Sequence, residues 1–80
     1  MRFDNMILYF KQTCPFCLKV LDYMKANDIQ MDMRDTLNAE NREELMRING
    51  TTQVPCLVVD GNPMLESNDI IAYLDSITYR

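Results

Sequence analysis

MILYFKQTCPFCLKVLDYM, residues Met6 to Met24, is the stretch that decides the fold. Met6–Phe10 is an uninterrupted apolar run of strand length, which suits a central strand covered on both faces. Lys11-Gln12-Thr13 is a polar turn. From Pro15 the period changes. Cys17, Val20, Leu21 and Met24 fall at i, i+3, i+4 and i+7, one face of a helix. Pro15 stands at the first helical position, where a missing N–H costs nothing. Two cysteines, Cys14 and Cys17, therefore straddle the junction between a central strand and a helix.

Working outward, Asn27-Asp28 closes the helix. Ile29, Met31 and Met33 then alternate with Gln30, Asp32 and Arg34, which predicts a half-buried strand. Strand, helix and strand in this length make a right-handed βαβ unit with parallel strands. A second helix is predicted over Asn38 to Asn49, capped by Asn41, with Glu44 three residues on, or by Asn38. Leu45 and Ile48 give it a narrow apolar face, Glu43 and Arg47 an i,i+4 pair, and Gly50 a stop. Cys56–Val59 is another buried strand, and Asp60-Gly61 a hairpin turn. The strand over Asn62 to Leu65 contains Pro63 and belongs at an edge. Ser67 caps a last helix whose Ile70, Ile71, Leu74 and Ile77 face the core. The expected fold is α/β, in the order β-α-β-α-β-β-α. Its four-stranded mixed sheet has the order 2-1-3-4 and is flanked by three helices.

Composition narrows the chemistry. Eighty residues predict one domain over 1–80. With no histidine, the chain holds no Ser-His-Asp or Cys-His site and no Cys/His zinc finger. Three cysteines are too few for a four-thiolate site, so no metal is expected, and an odd number is a poor disulfide framework. Twelve acidic against eight basic residues, a formal charge of −4, argue against nucleic acid as a partner. No apolar run approaches the roughly 20 residues that span a bilayer, and MRFDNMILYF is not a signal peptide. A cytoplasmic, reducing setting is expected, in which closely spaced cysteines mean redox or metal chemistry rather than a structural staple. The seven methionines read as flexible core filler.

A thiolate at Cys14 would sit at the start of a helix, where free backbone N–H groups and the positive end of the dipole stabilise it. Lys11 adds positive charge, and Pro15 opens the helix. Together these should lower the thiol from about 8.5 towards the roughly 3.5–7.5 range of activated cysteines. Cys17, one turn further in and on the apolar face, should be the less exposed and less acidic thiol. The pair divides into a nucleophile, Cys14, and a resolver, Cys17.

The segment Tyr9-Phe10-Lys11-Gln12-Thr13-Cys14-Pro15-Phe16-Cys17 resembles the active-site segment of glutaredoxins, and the element order matches the glutaredoxin version of the thioredoxin fold. Thioredoxin proper is set aside, because its Trp-Cys-Gly-Pro-Cys signature is absent and the chain has no tryptophan. The resemblance implies that Pro55 is cis and stands opposite Cys14, with the Val54 backbone bonding the cysteinyl part of glutathione. Read without it, Val54-Pro55 is a trans proline that starts a strand. Leu65-Glu66-Ser67-Asn68-Asp69 departs from the Gly-Gly-x-Asp-like turn of glutaredoxins. It is similar to the Glu-Ser pair in the N-terminal domain of glutathione transferases. That likeness implies that Ser67 and its helix end hold the γ-glutamyl carboxylate and that Glu66 holds the amino end. Lys11, helped by Gln53, would meet the glycyl carboxylate. Phe16 should be exposed beside the reactive thiol and able to contact a substrate, and Cys56 is read as structural.

The resemblance thus implies a monomeric glutathione-dependent thiol–disulfide oxidoreductase acting on protein disulfides and protein–glutathione mixed disulfides. Glutathione is the co-substrate, with a dedicated reductase as another source of electrons. The alternative is a low-turnover glutathione-binding or electron-carrier module like a free-standing glutathione transferase N-terminal domain. A dimeric iron–sulfur scaffold is a third option, disfavoured by Pro15.

Overall fold

The apolar run at Met6–Phe10 forms the second half of β1 (Arg2–Phe10) in the computed structural model, which describes residues 1–78. The remaining elements are α1 (Pro15–Ala26), β2 (Gln30–Asp35), α2 (Ala39–Asn49), β3 (Cys56–Val59), β4 (Asn62–Met64) and α3 (Ser67–Thr78). The sheet order is β2-β1-β3-β4, with β1 parallel to β2 and antiparallel to β3, and β4 antiparallel to β3. This is the predicted order and topology, with the two most apolar strands central.

Alternation along β1 explains why it is apolar throughout its second half. Met6 and Leu8 point to a core shared with Val20 and Met24 of α1, Met31 and Leu57 of the sheet, and Ile70 and Leu74 of α3. Ile7 and Tyr9 point the other way, into a smaller cluster under α2 with Leu45, Cys56 and Val58. Leu74→Ala should cost about 2–5 kcal/mol of stability, because the side chain is fully buried between layers. Chemical denaturation should show a lower midpoint at unchanged slope.

Some local expectations hold, such as Gly50 ending α2 and the alternative of Asn38 as its cap, and others are corrected. β1 starts at Arg2, well before the apolar run. Its first residues are held by polar contacts, with Arg2 paired to Gln30 in register and its guanidinium 3.3 Å from Asp32, so no hydrophobic pattern marks them. Met33, expected inward with Ile29 and Met31, is 39% exposed at the sheet edge. Met1 and Met46 are also exposed, so core filling accounts for Met6, Met24, Met31 and the partly buried Met64 and not for all seven methionines. Asn38, not Asn41, caps α2 by accepting the Glu40 N–H at 2.9 Å, while Asn41 donates to the Asp35 carbonyl. Gly50 ends α2 in the left-handed region, φ 78°, with its N–H on the Met46 carbonyl. β4 stops at Met64, one residue short of the expected Leu65. At α3, the Glu66 carbonyl accepts the Ile70 N–H at 3.0 Å, so Glu66 holds the cap position and Ser67 is the first helical residue.

Candidate functional site

The turn after β1 is tied by the Cys14 N–H donating to the Lys11 carbonyl at 3.1 Å. It delivers Cys14 to the N-cap of α1, with Pro15 behind it at the first helical position. The Cys14 carbonyl accepts the Leu18 N–H and starts the helix, while its side chain makes no cap bond. Cys14 is partly exposed, and Cys17, one turn on, is fully buried. The Lys11 backbone N–H donates to the Cys17 sulfur at 3.4 Å.

These surroundings separate the thiols. Partial burial pushes Cys14 up, but the backbone N–H and thiol of Cys17, the Phe16 N–H and the charge of Lys11 outweigh it and hold Cys14 below the ordinary thiol range. Burial pushes Cys17 up to about 11, against the Lys11 N–H, and the neighbouring Cys14 adds to the rise. Burial also raises Cys56, although a backbone bond from Met64 opposes it. A lowered thiol keeps its thiolate as pH falls, and raised thiols stay protonated as pH rises. Iodoacetamide at neutral pH should modify Cys14 alone, and all three cysteines after denaturation. Mass spectrometry reads the difference.

A half-open cleft of ≈ 190 Å³ is lined by Phe16, Gln53, Val54, Pro55, Glu66, Ser67 and Asn68; Cys14 and Cys17 are not among its lining residues, and it meets their helix at Phe16. It brings together the loop before β3, the start of α1 and the start of α3. Six of these seven residues are ones singled out from the sequence. Lys11 is exposed and does not line the cleft; its place is beside Cys14. Asn68 was missed. It accepts a hydrogen bond from Lys19 of α1 at 2.5 Å, a contact 49 residues apart in sequence that leaves no local pattern. The Val54–Pro55 bond is cis. Phe16 is 64% exposed beside Cys14.

The α3 end of the cleft suits a carboxylate. The N–H groups of Ser67, Asn68 and Asp69 have no carbonyl one turn back within the helix, and Ser67 is buried. Glu66, at φ 72°, occupies a conformation that non-glycine residues rarely adopt, and it is exposed at the rim. Two more open grooves, of ≈ 390 and ≈ 370 Å³, lie elsewhere. Among the described residues, no group of three or more histidine, cysteine or acidic side chains is placed to hold a metal ion. No helix among them is long and apolar enough to cross a membrane.

Residues 8–78 match the model of the glutathione S-transferase N-terminal domain family. An uncharacterised glutaredoxin-like 8.6 kDa protein from the rubredoxin operon of Clostridium pasteurianum is 31% identical over 62 residues, covering 76% of this chain and 83% of that one. Glutaredoxin 2 of Escherichia coli is 36% identical over 73 residues, which is 90% of this chain but 34% of that protein. The chain thus spans about a third of that longer relative. A solved thioredoxin-like protein superposes with a TM-score of 0.76 at 23% identity, over 92% of this chain and 94% of that one, and shares the fold. With the strand order, the cysteine pair at the head of α1 and the Glu66-Ser67 turn in place, these matches mean that the chain belongs to the glutathione S-transferase N-terminal domain family and is a glutaredoxin-like protein of the thioredoxin fold.

Proposed function

We propose that this chain is a glutathione-dependent thiol–disulfide oxidoreductase, a single domain over 1–80 that works as a monomer in the cytoplasm. The observation that carries the reading is the division of the Cys14–Cys17 pair into an activated, accessible thiol and a buried one, next to a cleft of glutathione-like demands. The glutaredoxin relatives support it.

In the monothiol route the Cys14 thiolate attacks the glutathionyl sulfur of a protein–glutathione mixed disulfide. That S–S bond breaks, the protein leaves as a thiolate and takes a proton from water, and Cys14 carries the glutathionyl group. A second glutathione thiolate then attacks the glutathionyl sulfur, forming glutathione disulfide and returning the Cys14 thiolate. In the dithiol route Cys14 opens a protein disulfide. Cys17 gives up its proton and displaces the reduced protein, leaving a Cys14–Cys17 bond that two glutathione molecules reduce. The monothiol cycle consumes one free glutathione and releases glutathione disulfide whose other half came from the substrate, whereas the dithiol cycle moves two electrons from two glutathione molecules to one protein disulfide. A lowered Cys14 serves both ways, as a nucleophile ionised at neutral pH and as a good leaving group.

In this reading the Val54 backbone pairs with the cysteinyl part of glutathione, as an added strand would. Ser67 and the start of α3 take the γ-glutamyl carboxylate, and Glu66 its amino group. Lys11 and Gln53 meet the glycyl carboxylate, Phe16 touches the incoming substrate, and Lys11 and Pro15 tune Cys14. The chain's negative charge makes these local positive features necessary.

The test is reduction of a glutathionylated peptide with glutathione or with a thioredoxin-type reductase as the source of electrons. Glutathione should suffice. Turnover only with the reductase overturns the reading. A second reading, a low-turnover glutathione-binding or electron-carrier module, is favoured by the Glu66-Ser67 turn and the transferase-domain match. It predicts glutathione binding with poor glutathione turnover, and, for an electron carrier, rapid exchange with its reductase.

A further inference from the structure

Beneath α2 a row of side chains crosses the sheet. Arg34 of β2 is the register partner of Tyr9, and Tyr9 of Cys56, the residue directly after Pro55. Glu44 reaches down from α2 onto this row. Arg34 Nη1 donates to Glu44 Oε1 at 2.8 Å and to Oε2 at 3.1 Å, and the Tyr9 hydroxyl donates to the same Oε1. Tyr9 is fully buried. Burial, then the adjacent Glu44, push its phenol up to about 12, so it remains a donor at neutral pH.

Leu45 is the one fully buried residue of α2 among the described ones, joined by the partly buried Ile48 and by Asn41, which donates to the Asp35 carbonyl, so the Glu44 contacts are a large share of what seats the helix. Helix α2 leads directly into the cleft wall. Past Gly50, the Thr51 hydroxyl accepts from Asn49 Nδ2 at 3.1 Å and from the Gln53 N–H at 3.4 Å. Val54, which lines the cleft, packs on the same small cluster as Tyr9, Leu45 and Cys56. The seat of α2 and the wall formed by Gln53, Val54 and Pro55 are therefore mechanically one piece.

We propose that Tyr9, Glu44 and Arg34 are positioning residues: their polar clamp seats α2, sets the Gln53–Pro55 wall, and so determines how tightly glutathione is held without acting on the reacting thiols. The inference rests on the glutathione reading above. Tyr9 is the fully buried member and Arg34 and Glu44 are half-buried, so removing one member loosens the seat of α2 while Leu45 and Ile48 still hold the helix, and the expected result is a shifted wall in a folded protein.

The experiment compares Tyr9→Phe, Glu44→Gln, Arg34→Met and Arg34→Lys with the wild-type protein in the glutathionylated-peptide assay. The Cys14 thiolate is titrated by its ultraviolet absorbance. KM for glutathione should rise about tenfold, equivalent to about 1.4 kcal/mol, in the first three variants. Their kcat should stay within about twofold, and the Cys14 titration should not move. Arg34→Lys, which keeps the charge, should recover most of the loss seen in Arg34→Met. Unchanged KM with a lowered melting temperature overturns the clamp as a positioning device, and so does a fall in kcat together with a moved Cys14 titration. A wild-type protein that does not turn over glutathione refutes the functional reading instead. The clamp then stands or falls on hydrogen exchange: Tyr9→Phe should speed exchange at the Gln53 and Val54 amides and leave α1 unaffected, and unchanged exchange at those amides overturns it.

Discussion

Cys14→Ser should abolish turnover of both glutathionylated peptides and protein disulfides, by at least about a thousandfold, because a hydroxyl is a poor nucleophile without a base. No histidine is available to supply one. The activation at this position comes from N–H groups, the Cys17 thiol and the Lys11 charge, which favour an anion that serine does not form at neutral pH. The fold should be untouched, since the Cys14 side chain makes no cap bond and is partly exposed. Activity remaining near wild type in this variant would sink the mechanism.

Cys17→Ser should separate the two routes. Protein-disulfide reduction should fall by about a hundredfold or more, because the adjacent resolving thiol is gone and only glutathione from solution can attack the Cys14–protein bond. Removal of glutathione from peptides should stay within about threefold of wild type, since that route never uses Cys17. The physical basis lies in the donors around Cys14. The Cys17 backbone N–H is independent of its side chain, and a serine hydroxyl can still donate where the thiol did. The check is to run both substrates on one preparation. Equal loss of the two activities would mean that Cys17 supports Cys14 itself rather than resolving its disulfide.

Much of this arrangement was legible in the sequence because its signals are local. The unbroken run at Met6–Phe10, the switch of period at Pro15, the Asp60-Gly61 turn and Pro63 together place the central and edge strands correctly. The cysteine pair reads directly from its position between strand and helix. The cleft was legible only through resemblance, which pointed to Gln53, Val54, Pro55, Glu66 and Ser67; nothing in their spacing places them on one wall. What stayed hidden depends on contacts between distant residues. Glu44 reads as part of a capping box with Asn41, yet its carboxylate pairs with Arg34 and with Tyr9, 35 residues away. Asn68 is held by Lys19 across the α1–α3 interface. The start of β1 at Arg2 is fixed by polar pairing that hydrophobic periodicity does not register. At α3, Ser67 is the residue type that caps helices, but Glu66 in a left-handed conformation takes the cap position and moves Ser67 into the first turn.

The alternation of β1 has a wider consequence. Met6 and Leu8 face the layer that carries α1 and α3, whereas Ile7 and Tyr9 face the layer under α2. The strand is a partition. On one side sits the helix that makes a thiol reactive; on the other sits the packing that shapes the Gln53–Pro55 wall. Under the proposed function, changes beneath α2 alter how glutathione is held and leave the reactivity of Cys14 as it is. Changes along α1 can retune reactivity without redrawing the wall. A small domain built this way can diverge in specificity and in redox strength along separate mutational paths, and one central strand insulates the two.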